Sequence, residues 1–330
     1  MNDRLQQMQR WLNRLGYQNY TLTSASADAS FRSYKRLQAG FKSWIVMDAP
    51  PGTEPCDGFI DIAARLRAAG LSAPQVIAQN LEQGFLLLTD FGVTPYLSAL
   101  NDDNVDALYG DALAALLKMQ VSVSSSGLPS YNEALLLQEM DLFHDWFVGK
   151  LLDIELTELQ KAQWHSIQQA LVQNALAQPQ LFVHRDYHCR NLMVLDQGNP
   201  GIIDFQDALT GPITYDLVSL LRDCYIEWPG AYVRRLAVDY YHMLKDKSLI
   251  NAGPEQFLRW FNLMGLQRHL KAIGIFSRLH IRDGKSGYLR NIPLTLKYLT
   301  QVSMLEKSMA GLSNLLEELR LERRIKAIIE

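Results

Sequence analysis

A chain of 330 residues is long enough for one large two-lobed domain or two ordinary ones. With 48% hydrophobic and 20% charged residues it can bury a core, which excludes wholesale disorder. A formal net charge of −3 excludes a nucleic-acid binder that works through a global basic field, while leaving room for a local basic patch.

Met1 to Leu15 is polar and amphipathic, without the apolar core of a signal peptide. Asp3 to Leu15 is predicted as a helix with Leu5, Met8, Leu12 and Leu15 on one side, closed by Gly16. Strands are predicted at 20–23, 33–37 and 44–47. The last is stopped by Pro50-Pro51-Gly52. A helix follows over 59–69 and ends at Gly70, and then come strands at 75–79 and 84–88. From Tyr96 the character changes. Helical periodicity runs through 104–120, 132–150, 156–176, 213–225, 230–245 and 254–282, interrupted by a strand-rich island from Leu181 to Phe205. The expected class is α+β, with a small β-rich lobe over 1–92 and a larger, mainly helical lobe over 93–330. Cys56, Cys189 and Cys224 are far apart, which speaks against zinc and against a disulfide framework. No stretch approaches the ~18 apolar residues of a membrane span. A cytoplasmic protein is expected, with no membrane or nucleic-acid partner. The sequence sets no oligomeric state and is compatible with a monomer.

The island carries the chemistry. Leu181-Phe182-Val183 leads into His184-Arg185-Asp186, and Asn191 follows on the same loop. Leu192 to Leu195 is a strand, 196–201 is a turn of Asp, Asn, Gly and Pro, and Gly201-Ile202-Ile203 returns to end on Asp204. Phosphoryl transfer needs these residue types at this spacing. One carboxylate, Asp186, orients a hydroxyl and accepts its proton. An amide and a second carboxylate, Asn191 and Asp204, hold Mg²⁺ against ATP phosphates. The H-R-D-x-x-x-x-N pattern is matched in full.

These residues, with Asp207 to Leu217 behind them, resemble the catalytic core of the aminoglycoside phosphotransferase and choline kinase group. The resemblance implies a protein-kinase-like two-lobed fold, a structural role for His184, and Asp216 as the aspartate that supports the catalytic loop from below. Ile45 to Pro51, Gly84 to Leu88 and Gly265 to Lys271 are similar, more narrowly, to the bacterial anomeric amino-sugar kinases of cell-wall recycling. That likeness implies ATP- and Mg²⁺-dependent phosphorylation of the C1 hydroxyl of N-acetylmuramate and often of N-acetylglucosamine, with product passing to UDP-sugar synthesis. Other readings are a kinase of an aminoglycoside, choline or homoserine, and a nucleotide-binding pseudokinase.

Asp90-Phe91-Gly92 spells the metal triplet of protein kinases but stands far ahead of the catalytic loop. It falls where a lobe hinge belongs, at Thr89, Asp90 and Phe91. The loop between the first two strands, with Ala29, Ser30 and Phe31, is the expected phosphate lid, although it has no glycine. The third strand lacks the lysine that such kinases use on ATP, so Arg32 or Lys35 is expected to supply positive charge. Arg268, Lys271, Arg278 and Arg282 share one side of the helix over 262–283. They form either a solvated basic face or a site for the lactyl carboxylate that the resemblance implies. Arg222 is a further substrate candidate, and Asp207 either bonds sugar hydroxyls or caps a turn. His188 and Cys189 read as packing residues of the loop.

Overall fold

The structure, a computed structural model, describes residues 2–26, 32–52 and 55–329. They divide into two compact units, Met1–Asn104 with Asn191–Asp207, and Val105–Arg190 with Ala208–Glu330.

The first unit opens with helix α1 (Asn2–Arg14). It continues through strands β1 (Thr21–Ser26), β2 (Ser33–Ala39) and β3 (Lys42–Asp48), helix α2 (Asp57–Ala68), strands β4 (Val76–Asn80) and β5 (Phe85–Thr89), and the short helix α3 (Tyr96–Ala99). The five strands form one antiparallel sheet in the order β1-β2-β3-β5-β4. Side chains alternate across it. Leu37, Val46, Phe85 and Leu87 lie on one face and bury against Met8, Trp11 and Leu12 of α1. Trp11 stacks on Phe85 with ring centroids 5.7 Å apart. Replacing Trp11 by Ala removes the largest of these contacts, a change that costs about 3–5 kcal/mol in a packed core. Gly84, in the left-handed region at φ 71°, makes the tight approach to β3 possible. Ala49 N–H donates to its carbonyl at 2.8 Å, and a Cβ at Gly84 would run into the Ala49 carbonyl.

The hairpin predicted at 192–203 forms as strands β7 (Leu192–Met193) and β8 (Gly201–Ile202). It groups with the first unit, although the expected boundary at residue 92 put it with the helices. Its backbone bonds explain this: Ile202 N–H donates to Ser72 (2.7 Å) and Val194 N–H to Thr94 (2.9 Å).

The second unit contains helices α4 (Val105–Ser122), α5 (Glu133–Leu142), α6 (Glu158–Leu176), α7 (Tyr215–Leu221), α8 (Gly230–Asp246), α9 (Pro254–Asp283), α10 (Ile292–Leu305), α11 (Ala310–Glu318) and α12 (Leu321–Ile329). Strands β6 (Gln180–Val183) and β9 (Leu209–Pro212) pair antiparallel within it. Start signals match their helices. Asn132 caps α5, and Thr157 with Gln160 makes a reciprocal capping box on α6. The helix expected over 132–150 breaks after Leu142 into a π-helical turn, Phe143–Leu151. At that junction Gly274 of α9 presses on Leu142, where a Cβ would collide with the Leu142 backbone. Helices beyond residue 283, with 3₁₀ turns at Ser286–Asn291 and Lys307–Met309, were not anticipated. Their first segments pack on α9, which is also touched by α5, α6, α7 and α8. α9 is therefore the central helix of the unit and has no wet side over most of its length. The amphipathic reading of 262–283 fails for that reason, since Leu266, Arg268, Leu270, Lys271 and Ile273 are all buried.

Candidate active site

β6 delivers the chain into the loop 184–190, and α7 fixes that loop from beneath. Both oxygens of Asp216, in the first turn of α7, accept backbone N–H groups, from His184 at 2.7 Å and Arg185 at 3.0 Å. Burial pushes the Asp216 carboxyl up to about 7 against the two N–H donors and the Arg268 charge that favour ionisation. His184 is buried, and its Nδ1 accepts from the Asp186 N–H at 3.2 Å. Arg185 adopts φ 77°, a conformation that costs a side-chain-bearing residue about 1–2 kcal/mol, and the Asp216 bond on its N–H offsets that strain. Tyr187 donates to the Ala112 carbonyl (2.8 Å), and the Cys189 N–H donates to Asp223 (2.9 Å).

A polar network that the sequence reading missed lies under this loop. Glu139 of α5 is buried and pairs with the Arg185 guanidinium, accepts from the Tyr131 hydroxyl, and meets Lys271 Nζ at 3.1 Å and Gln267 Nε2 at 3.3 Å. Lys271 also donates to the Tyr215 hydroxyl at 3.0 Å. Burial raises the Asp186 carboxyl, but Lys271, His188, Arg268 and Arg185 together outweigh it and hold the group below the usual carboxylate range. His188 contributes only when charged, and burial lowers its own basicity, so at neutral pH the lasting charges are Lys271, Arg268 and Arg185. The result is a carboxylate ready to accept a hydrogen bond from a hydroxyl.

In the first unit the hairpin brings Asn191 and Asp204 together. Asn191 Nδ2 donates to Asp204 Oδ2 at 3.2 Å, and Ile203 N–H donates to the Asn191 carbonyl at 3.1 Å. Asp204 sits at φ 64°, which turns its side chain out of the strand direction. Gln206 was not anticipated. Its Nε2 donates to Asp204 Oδ1 at 2.9 Å, and Phe205 between them packs on Phe59 of α2 with centroids 4.9 Å apart. One carboxylate beside one side-chain amide is an oxygen donor set suited to Mg²⁺. Among the described residues no cluster of three His, Cys, Asp or Glu could hold a metal by itself. Mg²⁺ fits this site as an ion shared with phosphates, which is how that ion is usually held.

Asp90 is committed elsewhere. Arg36 reaches it through Nε (2.6 Å) and Nη2 (3.0 Å), the Gly92 N–H donates to it at 2.9 Å, and its side chain is 3% exposed. Phe91 lies against the hairpin, since a Cβ on Gly201 would stand 2.8 Å from its ring. Thr89 closes β5, and its Oγ1 accepts from the Gln75 N–H at 2.9 Å. Of the phosphate candidates, Ala29, Ser30 and Phe31 lie outside the described residues. Arg32 donates to the Pro55 carbonyl at 3.5 Å. Lys35 pairs across the sheet with Val46 and so shares the face that α1 covers.

The basic residues of α9 split by depth. Lys271 and Arg268 turn inward to Glu139, Tyr215 and Cys224 Sγ, the last at 3.7 Å. Arg278 is half-buried, while Arg282 is exposed and pairs with its neighbour Asp283 at 2.8 Å. Arg222 is anchored to Asn262 (2.7 Å) and lies over Phe261, and burial lowers it to about 10. Asp207 is exposed. Arg268 and Lys271 are thus buried where a basic face was one expectation, because periodicity cannot tell a wet side of a helix from one covered by other helices.

A model of the phosphotransferase enzyme family matches residues 21–249. The chain belongs to that family. Among curated relatives, it is 46% identical over 91% of its length, and 88% of theirs, to the N-acetylmuramate/N-acetylglucosamine kinase of Pseudomonas putida. It is 42% identical to the kinase of the same name from Neisseria meningitidis, over 91% of both chains. Among solved structures, a choline kinase from Streptococcus pneumoniae superposes with a TM-score of 0.63 at 11% identity, covering 89% of this chain and 99% of that one. An ADP-bound aminoglycoside phosphotransferase gives 0.58 at 16% identity, covering 89% and 97%. At those identities the structures establish the fold, a small antiparallel sheet lobe with a larger helical one, as the sequence reading expected. The chain is a phosphotransferase.

Proposed function

We propose that this phosphotransferase moves the γ-phosphoryl group of ATP onto the anomeric C1 hydroxyl of N-acetylmuramate and N-acetylglucosamine. The observation that carries the acceptor is the 46% identity, across 91% of the chain, to a kinase named for those two sugars. The geometry supports the reaction type, because Asp186 is an ionised carboxylate on a loop held by Asp216, Glu139 and Asp223.

Asp186 orients the C1 hydroxyl and accepts its proton as the oxygen–phosphorus bond forms. The bond from the γ-phosphorus to the bridging oxygen breaks, and ADP leaves with that electron pair. Asn191 and Asp204 would hold Mg²⁺, which supplies positive charge to the phosphates. The loop at 29–31, with Arg32, is assigned to the phosphates. Arg32 is preferred to Lys35 because Lys35 lies on the covered face of the sheet. Thr89, Asp90 and Phe91 are assigned to the hinge, and Asp207, Arg278 and Arg282 to the acceptor side. No described helix is long and apolar enough to cross a membrane. A cytoplasmic role in recycling cell-wall sugars fits this acceptor class.

ADP release is the direct test, measured with the two acetylated sugars and with their methyl glycosides, which are blocked at C1. Turnover of the free sugars and none of the glycosides is expected. Glycosides phosphorylated at an undiminished rate would overturn C1 as the acceptor.

A further inference from the structure

Arg190 immediately precedes Asn191 on the loop that carries Asp186, and neither its motif nor its neighbours in sequence gave it a role. Its guanidinium carbon lies 4.8 Å from the ring centre of Tyr225 and 5.8 Å from that of Tyr288, and it is bonded to both tyrosines. Those rings are braced in turn. Phe276 of α9 stacks on Tyr288 (5.8 Å, 19°) and packs against Tyr225 (6.2 Å). Among the described residues no ion pair joins Arg190 to a carboxylate. Burial works against this guanidinium, but Tyr225 and Tyr288 outweigh it and hold Arg190 above its usual value, so it stays a cation with no carboxylate of its own. Next to it, the ring of His188 stands edge-on to Tyr225 at 5.3 Å, and its buried Nδ1 has no partner among the described residues. Asp223 accepts from the N–H groups of both Cys189 and Tyr225 (2.9 and 3.1 Å), so the Arg190 cradle and the Asp186 loop are fastened into one piece.

A guanidinium carries five N–H donors, more than the bonds to two tyrosines use, and those left suit a planar carboxylate. Asp186, Arg190, Tyr225 and Tyr288 all belong to the second unit, whereas the residues assigned to metal and phosphates belong to the first. N-acetylmuramate differs from N-acetylglucosamine by a lactyl ether that ends in a carboxylate. We propose that Arg190 reads that carboxylate, with Tyr225 and Tyr288 holding its guanidinium in place. It is a specificity residue for the lactyl-bearing acceptor. The proposal rests on the acceptor assignment made above.

The test compares wild type, Arg190→Met and Arg190→Lys on N-acetylmuramate, its methyl ester and N-acetylglucosamine. In Arg190→Met the preference in kcat/KM for N-acetylmuramate over N-acetylglucosamine should fall about thirtyfold, the size of a lost charge-assisted contact. Arg190→Lys should fall between, because it keeps the charge and loses the fork. The wild-type preference for the free acid over the ester should vanish in Arg190→Met. Partial misfolding scales all rates together and leaves these ratios intact, so the ratios read the contact alone. An unchanged ratio, whether the separate rates hold or fall in parallel, overturns the proposal. A wild type active on neither sugar would instead remove the acceptor assignment and this proposal with it, a result distinct from unchanged ratios in an active enzyme.

Discussion

Asp186 rests on a buried polar network drawn from separate stretches of the second unit, with Glu139 from α5, Asp216 from α7, Lys271 from α9 and Asp223 beyond α7. Asp204 is held mainly from its own hairpin, by Asn191 on one oxygen and Gln206 on the other. The first arrangement fixes the charge and orientation of a carboxylate before any ligand arrives, and such preorganisation is what lowers a barrier at the moment of reaction. The second leaves a small oxygen set that would hold the proposed Mg²⁺ only together with a ligand's phosphates. A proton acceptor gains from rigidity, while a metal that travels with its nucleotide gains from an incomplete cage.

Four substitutions press on that contrast. Asp186→Asn removes the proposed proton acceptor but keeps the shape, so kcat should fall about a thousandfold while the fold survives, as thermal melting would confirm. Asp204→Asn should lower kcat on the order of a hundredfold and raise the Mg²⁺ concentration needed for half-maximal rate, an effect absent in the Asp186 variant. Glu139→Gln leaves the Arg185 and Lys271 charges short of a partner. It should cost about 3 kcal/mol in denaturant unfolding and lower kcat about tenfold through the loosened loop. Asp90→Asn should cost about 1–3 kcal/mol of stability, because it breaks the buried pair with Arg36, and change the Mg²⁺ requirement by less than about twofold. A large Mg²⁺ effect at Asp90 would mean that the early Asp-Phe-Gly is the metal triplet after all.

The same contrast explains what the sequence revealed. Asn191 and Asp204 meet across a short hairpin whose turn residues are visible in order, so their partnership is local and legible. Asp216 was legible through its place after the same segment. Glu139 was not, because its link to Arg185 spans 46 residues and a glutamate in a helix looks like any solvated charge. Arg190 stood in full view inside the motif, but Tyr225 lies just beyond α7 and Tyr288 in the 3₁₀ turn after α9. The depth of Arg268 and Lys271 on α9 was hidden for the complementary reason. Their spacing is genuine, yet the helix is wrapped by neighbours that no periodicity announces, so Lys271 and Arg268 charge the protein's interior instead of its surface.

The proposed reaction is phosphoryl transfer to an anomeric hydroxyl whose proton Asp186 accepts. Phosphorus NMR of the product formed from ATP, Mg²⁺ and N-acetylmuramate tests it most directly. The account predicts a sugar phosphate whose phosphorus couples to the anomeric proton, formed by wild type and nearly absent with Asp186→Asn. A phosphorus signal coupled to the C6 methylene protons, or the anomeric phosphate formed at full rate by Asp186→Asn, would contradict it.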